Sequence, residues 1–250
     1  MVPILRQICE TRGIGFSTYS DDWLLELKAH GKVARTLGYR FDLNNSVAGS
    51  IAQDKVATYQ MLAKAGIPAM PHVLVRTKAS KADRTVMDGW DQIVIKPLTG
   101  AGGHGVHLFN NVDAALGYIE QSPTSAWAAT PFVDIKRELR LIMLDGALLV
   151  GYEKLPVVIK ELKMFNLDLG ATPKHVEISE EFVRVAAKAQ SELGLRLSTV
   201  DIVEDVEGEY RILEINDSIM MEHYMRYSSE NKKKAEHVYE KIVDAMMEGS

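Results

Sequence analysis

Thr199-Val200-Asp201-Ile202-Val203-Glu204-Asp205 and Glu209-Tyr210-Arg211-Ile212-Leu213-Glu214-Ile215-Asn216, flanking Glu207-Gly208, form the stretch that decides the fold. Both runs are rich in β-branched residues, and a Gly-containing turn between them reads as a β-hairpin. With Glu207-Gly208 as a two-residue turn, Asp201 stands opposite Glu214. Asn216 then falls on the same face as Glu214, because side chains alternate along a strand. Directly opposed residues have Cβ atoms ~4.5–5.5 Å apart, so two carboxylates there repel unless a cation lies between them. Two carboxylates and an amide oxygen are hard ligands of the kind that suit Mg²⁺. Val200, Ile202, Val203, Ile212, Leu213 and Ile215 embed the two acids in apolar sequence, which argues against a merely solvated acidic edge.

Upstream, Ile93-Val94-Ile95-Lys96-Pro97 reads as a strand, Gly100-Ala101-Gly102-Gly103-His104-Gly105 as a loop and Val106-His107-Leu108-Phe109 as a second strand. The loop matches G-x-G-x-x-G, but a dinucleotide fold needs a helix after it, and a Walker loop needs Gly-Lys-Ser/Thr. A strand–Gly loop–strand unit is instead suited to folding over a triphosphate. Backbone N–H groups would cradle it, and Lys96 at the base would supply a point charge. Asp145-Gly146 predicts a hairpin over 138–153. Helices are expected over 2–12, over 50–65 with Ser50 as N-cap, and over 112–121, 180–193 and about 230–247. Further strands are expected at 72–76 and in a hairpin around His30-Gly31. Strands and helices alternate throughout, which gives an α/β (α+β) class.

The 250 residues are 46% hydrophobic and 25% charged, which excludes a disordered or collagen-like chain. No apolar run approaches the ~20 residues of a membrane helix, and no signal peptide is read at the start. The net charge of −5 gives no general attraction to nucleic acid, and a single cysteine, Cys9, excludes an internal disulfide framework. These features point to a cytoplasmic, small-molecule protein with no nucleic-acid or membrane partner.

In their order along the chain, these motifs resemble the ATP-grasp superfamily of carboxylate–amine ligases, near its RimK-like and cyanophycin-synthetase-like domains. The resemblance runs from about Asn44 to Met247. Asp54-Lys55 with Leu62 and Ala65-Gly66-Ile67-Pro68 resembles the family's entry motif, which implies that Lys55 contacts ATP phosphate. Lys96 with Gly102, Gly103 and Gly105 resembles the second ATP lysine and its phosphate loop. Pro131-Phe132-Val133 resembles the hinge whose backbone reads adenine, and Glu138 the ribose-binding acid. Asp201, Glu214 and Asn216 resemble the metal set. Arg140 is implied to orient a carboxylate or the γ-phosphate. Lys154, Lys163 and Asn166 are the candidates for the γ-phosphate and acyl-phosphate contacts, with Lys154 standing where many members carry arginine. The hinge departs from the family in carrying Thr130-Pro131 where Gln-Glu is common.

The fold implied is two α+β lobes clamping ATP. An abbreviated N-terminal lobe (1–48) precedes an ATP-grasp domain (49–250), itself divided into an ATP-lid subdomain (about 70–132) and a metal-binding subdomain (about 133–250). The activity implied uses ATP and Mg²⁺ (one or two ions, or Mn²⁺) to convert a substrate carboxylate into an acyl phosphate, which an amine then attacks. Amino acids or peptides are the expected substrates. A phosphotransferase and a non-catalytic nucleotide-binding regulatory module are the alternatives. The short first lobe also predicts that a second subunit (a homodimer) or ordering on substrate binding completes the cleft. His104, Ser218 and Glu222 are candidates for substrate contact. His104 and His107 lie on opposite faces if the strand is regular, which disfavours a metal site. Lys232-Lys233-Lys234 reads as a solvated face, Cys9 as a packed side chain, and Met220, Met221 and Met225 as core.

Overall fold

The computed structural model describes residues 1–77, 85–100, 104–159 and 162–248. The N-terminal segment starts with helix α1 (Val2–Arg12), which ends at Gly13 in the left-handed conformation, φ +67°. A four-stranded meander follows: β1 (Gly15–Tyr19), β2 (Leu24–Ala29), β3 (Lys32–Leu37) and β4 (Arg40–Phe41). His30 and Gly31 both take positive φ, as a two-residue turn with the twist of its flanking strands requires.

The apolar stripe expected to run as one helix over 50–65 is two helices, α2 (Ser46–Gln53) and α3 (Lys55–Lys64). Ser50 is therefore not an N-cap; its hydroxyl donates back to the Ser46 carbonyl inside α2. The caps are Asn45, which accepts from Ala48 N–H, and Asp54, which accepts from Val56 and Ala57 N–H. Asp54 has an extended backbone, so the chain bends there and Lys55 becomes the first residue of α3.

Next comes an antiparallel sheet in the order β5 (Val73–Arg76), β8 (Ala126–Pro131), β6 (Ile93–Pro97), β7 (His107–Phe109). Helix α4 (Val112–Gln121), capped by Asn111, covers one face of it. Val75, Ile93, Ile95, Leu116, Ile119 and Trp127 form a core belonging to this sheet.

The largest sheet has the order β13-β10-β9-β14-β15. Its strands are β9 (Ile135–Leu144), β10 (Ala147–Leu155), β13 (Thr172–Lys174), β14 (Leu197–Asp205) and β15 (Tyr210–Asn216). A short hairpin of β11 (Val157–Ile159) and β12 (Leu162–Met164) branches from the end of β10. Period-two alternation gives the sheet two cores. Leu139, Leu141 and Met143 of β9 face α5 (Glu180–Glu192) through Ala186, Ala189 and Leu193. Ile142, Val150 and Tyr152 face the other way. They pack with α1, the N-terminal meander, the short α6 (Glu222–Met225) and the long α7 (Ser229–Met247). Gln190 of α5 ties the sheet end together. Its amide donates to the Met143 and Arg196 carbonyls and to Ser198 Oγ, and accepts from Gly146 N–H.

Asp201 does pair with Glu214, but the turn differs from expectation. Asp205 N–H donates to the Glu209 carbonyl, so the loop is three residues, Val206-Glu207-Gly208, with Gly208 at φ +90°. This shifts the pairing by one residue as far as Ile202↔Ile212, and a bulge at Leu213 then restores it, giving Asp201↔Glu214 and Thr199↔Asn216. Met220 is exposed rather than core, whereas Met221 is buried. Cys9 is packed in the core, and burial pushes its thiol up to about 11. Among the described residues no helix is long and apolar enough to cross a membrane.

Candidate active site

Between the β5–β8 sheet and the large sheet lies a cavity of about 350 Å³. Val94, Lys96 and Pro97 of β6 and the Thr130–Val133 segment line one wall. Glu138, Lys154, Leu213 and Glu214 of the large sheet line the opposite wall. Lys55, His104, Lys163, Phe165 and Asn166 close the sides. The site residues expected from sequence that reach this cavity are therefore Lys55, Lys96, His104, Pro131, Phe132, Val133, Glu138, Lys154, Lys163, Asn166 and Glu214.

The large-sheet wall is built by register. Tyr152, Arg140, Asp201 and Glu214 stand side by side in one row across β10, β9, β14 and β15. Lys154 and Glu138 form the neighbouring row, two residues along and on the same face. Arg140 grips Asp201 through both carboxylate oxygens, Nε to Oδ1 at 2.8 Å and a terminal nitrogen to Oδ2 at 2.6 Å. Such paired, charge-assisted bonds are the strong ones. Lys154 Nζ lies 3.1 Å from Asp201 Oδ2 and also pairs with Glu138. Asp201, Lys154 and Glu138 are only 1%, 2% and 4% exposed.

Burial alone would protonate Asp201, but Arg140 and Lys154 outweigh it and hold the carboxyl well below its usual range. Burial and Arg140 oppose the charge on Lys154, yet Asp201 and Glu138 keep its ammonium above its usual value. Burial raises Glu138 against the pull of Lys154. The free amines behave differently. Burial lowers Lys96 to about 8 despite the attraction of Glu214, and lowers Lys55 in the same direction.

Lys55 is aimed by the Asp54 cap, and its ammonium donates to the Gly100 carbonyl at 2.9 Å. At the hinge, Phe132 N–H is committed to the Gln92 carbonyl at 2.9 Å. Pro131 has no N–H, so Val133 supplies the next backbone donor on this wall. Lys163 donates to Asp134 Oδ1 at 2.6 Å and to the Ile135 carbonyl. Asn166 stands at the N-cap position of the one-turn 3₁₀ helix Leu167–Leu169 without a side-chain capping bond, and Gly170 ends that turn at φ +108°.

Glu214 faces the cavity and accepts from Asn216 Nδ2 at 3.2 Å, so a carboxylate and an amide lie side by side. That pair fits a small hard cation. Asp201 stands beside it with both oxygens already bonded, leaving it fewer lone pairs to offer.

Other expected residues lie elsewhere. Gly105 rests on the Pro97 ring outside the cavity lining, and Gly102 and Gly103 lie outside the described residues. Ser218 bridges to Arg40 of the N-terminal meander, and Glu222 pairs with the Met1 ammonium at 2.8 Å. His107 meets the Tyr118 hydroxyl at 2.9 Å within an aromatic cluster, away from the cavity lining. Sequence reasoning missed Asp134, Tyr152 and His72. Alternation from Lys154 would have put Tyr152 on the site face, whereas nothing local marks Asp134 or His72.

A model of the RimK-like ATP-grasp domain matches residues 52–240. A glutamate–LysW ligase of Sulfurisphaera tokodaii is 27% identical over 182 residues, covering 70% of this chain and 64% of that protein. A probable alpha-L-glutamate ligase of Legionella pneumophila is 28% identical over 71% of this chain and 59% of its own length. The chain thus spans less than two thirds of either relative. D-alanine–D-alanine ligase from Bacillus anthracis superposes with a TM-score of 0.63 at 15% identity, over 82% of this chain and 69% of that one, which is a likeness of fold. With the matched domain spanning most of its length and the two facing sheets that clamp the cavity, the chain belongs to the RimK-like ATP-grasp family.

Proposed function

We propose that this chain is an ATP- and Mg²⁺-dependent ligase that activates a substrate carboxylate as an acyl phosphate and joins it to the amine of an amino acid or peptide. One observation carries the reading. Lys55 and Lys96, two amines whose charge the protein does not neutralise, converge with Glu138 and Glu214 on one cavity between two sheets. A polyanion of triphosphate size supplies the missing negative charge. The names of the two relatives make glutamate the first substrate to test.

In this reading Lys55 and Lys96 hold the phosphates as point charges. The Pro131 carbonyl and Val133 N–H read the base edge, and Glu138 accepts from the ribose. Glu214 and Asn216, with Asp201 behind them, hold the cation. When bound, that cation offsets charge on the phosphate oxygens. Arg140 keeps Asp201 ionised and in register. Lys163, Asn166 and His104 stand on the side where the carboxylate and the transferred phosphoryl group meet. The chain's contribution is thus positioning and preorganised charge. The lid (about 70–132) and metal-binding (about 133–250) subdomains within 49–250, and the preceding lobe of 1–48, are the working division. ATP use and the lone buried Cys9 support a cytoplasmic setting.

The test is ADP release with Mg²⁺-ATP across amino-acid pairs and short acidic peptides, followed by product mass. A ligase gives the sum of two substrates less one water. A product heavier by one phosphoryl group assigns a phosphotransferase, and ADP release indifferent to every substrate refutes the ligase reading.

A further inference from the structure

His72 precedes β5 at the point where the chain crosses from the large sheet to the lid sheet. It is 3% exposed. The crossing segment is pinned to β15, with Met70 N–H donating to the Ile212 carbonyl and Ile212 N–H to the Pro68 carbonyl. His72 Nδ1 lies 2.9 Å from the Met70 carbonyl, which can only accept, so Nδ1 carries the proton and Nε2 is a bare acceptor. Nε2 is buried and has no hydrogen-bond partner among the described residues. An unsatisfied buried acceptor is costly, so a donor is expected for it.

The surroundings indicate which donor. Lys96 stands opposite Ala128, which stands opposite Leu74, and by alternation His72 shares that face two residues before Leu74. The alanine between them leaves lateral room. A recess of about 10 Å³, near the size of one water, lies between His72, Lys55, Tyr59, Met70 and Glu214 and adjoins the main cavity. The charged groups acting on the imidazole are Lys96 and Lys55, and those acting on Lys96 include Glu214, Glu138 and Asp201. Burial and the two lysines hold His72 well below its ordinary range, so it stays neutral.

We propose that His72 is a positioning residue for Lys96: its Nε2 accepts from the Lys96 ammonium, which lines the adjoining cavity, through one water where the recess opens into that cavity, and so aims that amine at bound phosphate. A carboxylate in this place would also orient the lysine but would cancel its charge. A neutral acceptor orients it and leaves the full positive charge for the ligand. The proposal rests on the reading of the cavity as a triphosphate site.

Wild-type binding of ATP, measured by calorimetry, reports on that reading, and the His72 variants report on this one. His72→Leu should weaken ATP about tenfold while leaving adenosine affinity unchanged, the scale of one hydrogen bond to a charged group. His72→Gln, which returns an acceptor, should recover most of the loss. Independently of those variants, ¹⁵N-imidazole NMR of otherwise wild-type protein should show a bare Nε2 whose signal moves when ATP is added. The Lys96→Met protein should not show that movement. Wild-type ATP affinity in His72→Leu, a Gln variant no better than Leu, a proton on Nε2, or an ATP response that survives Lys96→Met would each overturn the proposal.

Discussion

Lys96 sits near 8 rather than at the usual 10.4 of a lysine, because burial desolvates it and the attraction of Glu214 does not make up the loss. A gap of that size corresponds to roughly 3 kcal/mol held against the ammonium, which bound phosphate oxygens return. Nucleotide binding should therefore draw a proton from solvent. With Lys96 at about 8 before binding and restored to its ordinary range after it, uptake is about 0.1 proton at pH 7, about 0.5 at pH 8 and about 0.9 at pH 9. The sign follows because the free protein loses the proton on this rise in pH and the complex keeps it. With a second pKa near 6 for a phosphate monoester, the γ-phosphate carries about 0.1 proton at pH 7 and about 0.01 at pH 8, so it offsets the Lys96 share at pH 7 and is negligible at pH 8 and 9. The assay is calorimetric titration of nucleotide in two buffers of different ionisation enthalpy at each pH. Lys55 is also lowered and adds its own share. The Lys96→Arg variant stays charged throughout, so the difference between the two proteins isolates Lys96. Equal uptake in both proteins, or a difference that does not grow from pH 7 to pH 9, would refute the reasoning.

Other outcomes follow from the same geometry. Glu214→Gln should remove Mg²⁺-dependent ADP release while changing the melting temperature little, since among the described residues its side chain hydrogen-bonds with the neighbouring Asn216 alone; undiminished turnover would remove Glu214 from the metal set. Asp201→Asn should do more than affect chemistry, because it strands Arg140 and Lys154 in a buried row, and a loss of about 3–5 kcal/mol in denaturant unfolding is expected. Gln190→Leu removes the side-chain partner of Gly146 N–H, the Met143 carbonyl and Ser198 Oγ at the β9–β10 turn, the Arg196 carbonyl keeping its bond from Asp145 N–H, and should lower stability by about 1–3 kcal/mol in the same measurement.

The hairpin that faces Asp201 with Glu214 was legible because both acids sit inside apolar β-branched runs. Its turn was not, because a glycine at the end of a three-residue loop looks the same in sequence as one inside a two-residue turn. The extra loop residue and the Leu213 bulge offset each other, so the pairing at the site came out as expected through a different path. The Asp54 break was hidden for a related reason. The apolar stripe continues across it, and only the side chain accepting from Val56 and Ala57 N–H reveals a new cap. Tertiary partnership was the least legible level. Lys154 reads in sequence as one more cation near a phosphate, and its fixed place between Glu138 and Asp201 depends on strand order, which no local pattern encodes.

That last point separates two kinds of lysine on one cavity wall. Lys154 and Lys96 are both desolvated, yet one is raised and the other lowered. The difference lies in who supplies the counter-charge. Lys154 has its own carboxylates in register beside it, so the fold completes it and it serves to hold the row Tyr152–Arg140–Asp201–Glu214 in place. Lys163 is likewise paired, with Asp134. Among the described cavity lysines, Lys55 and Lys96 are the two lacking a carboxylate within ion-pair distance. A buried lysine left without an ion-pair partner by its own protein is a candidate to take counter-charge from a ligand. In the proposed reading the phosphate-binding pair is therefore Lys55 and Lys96, while Lys154 is already held between Glu138 and Asp201.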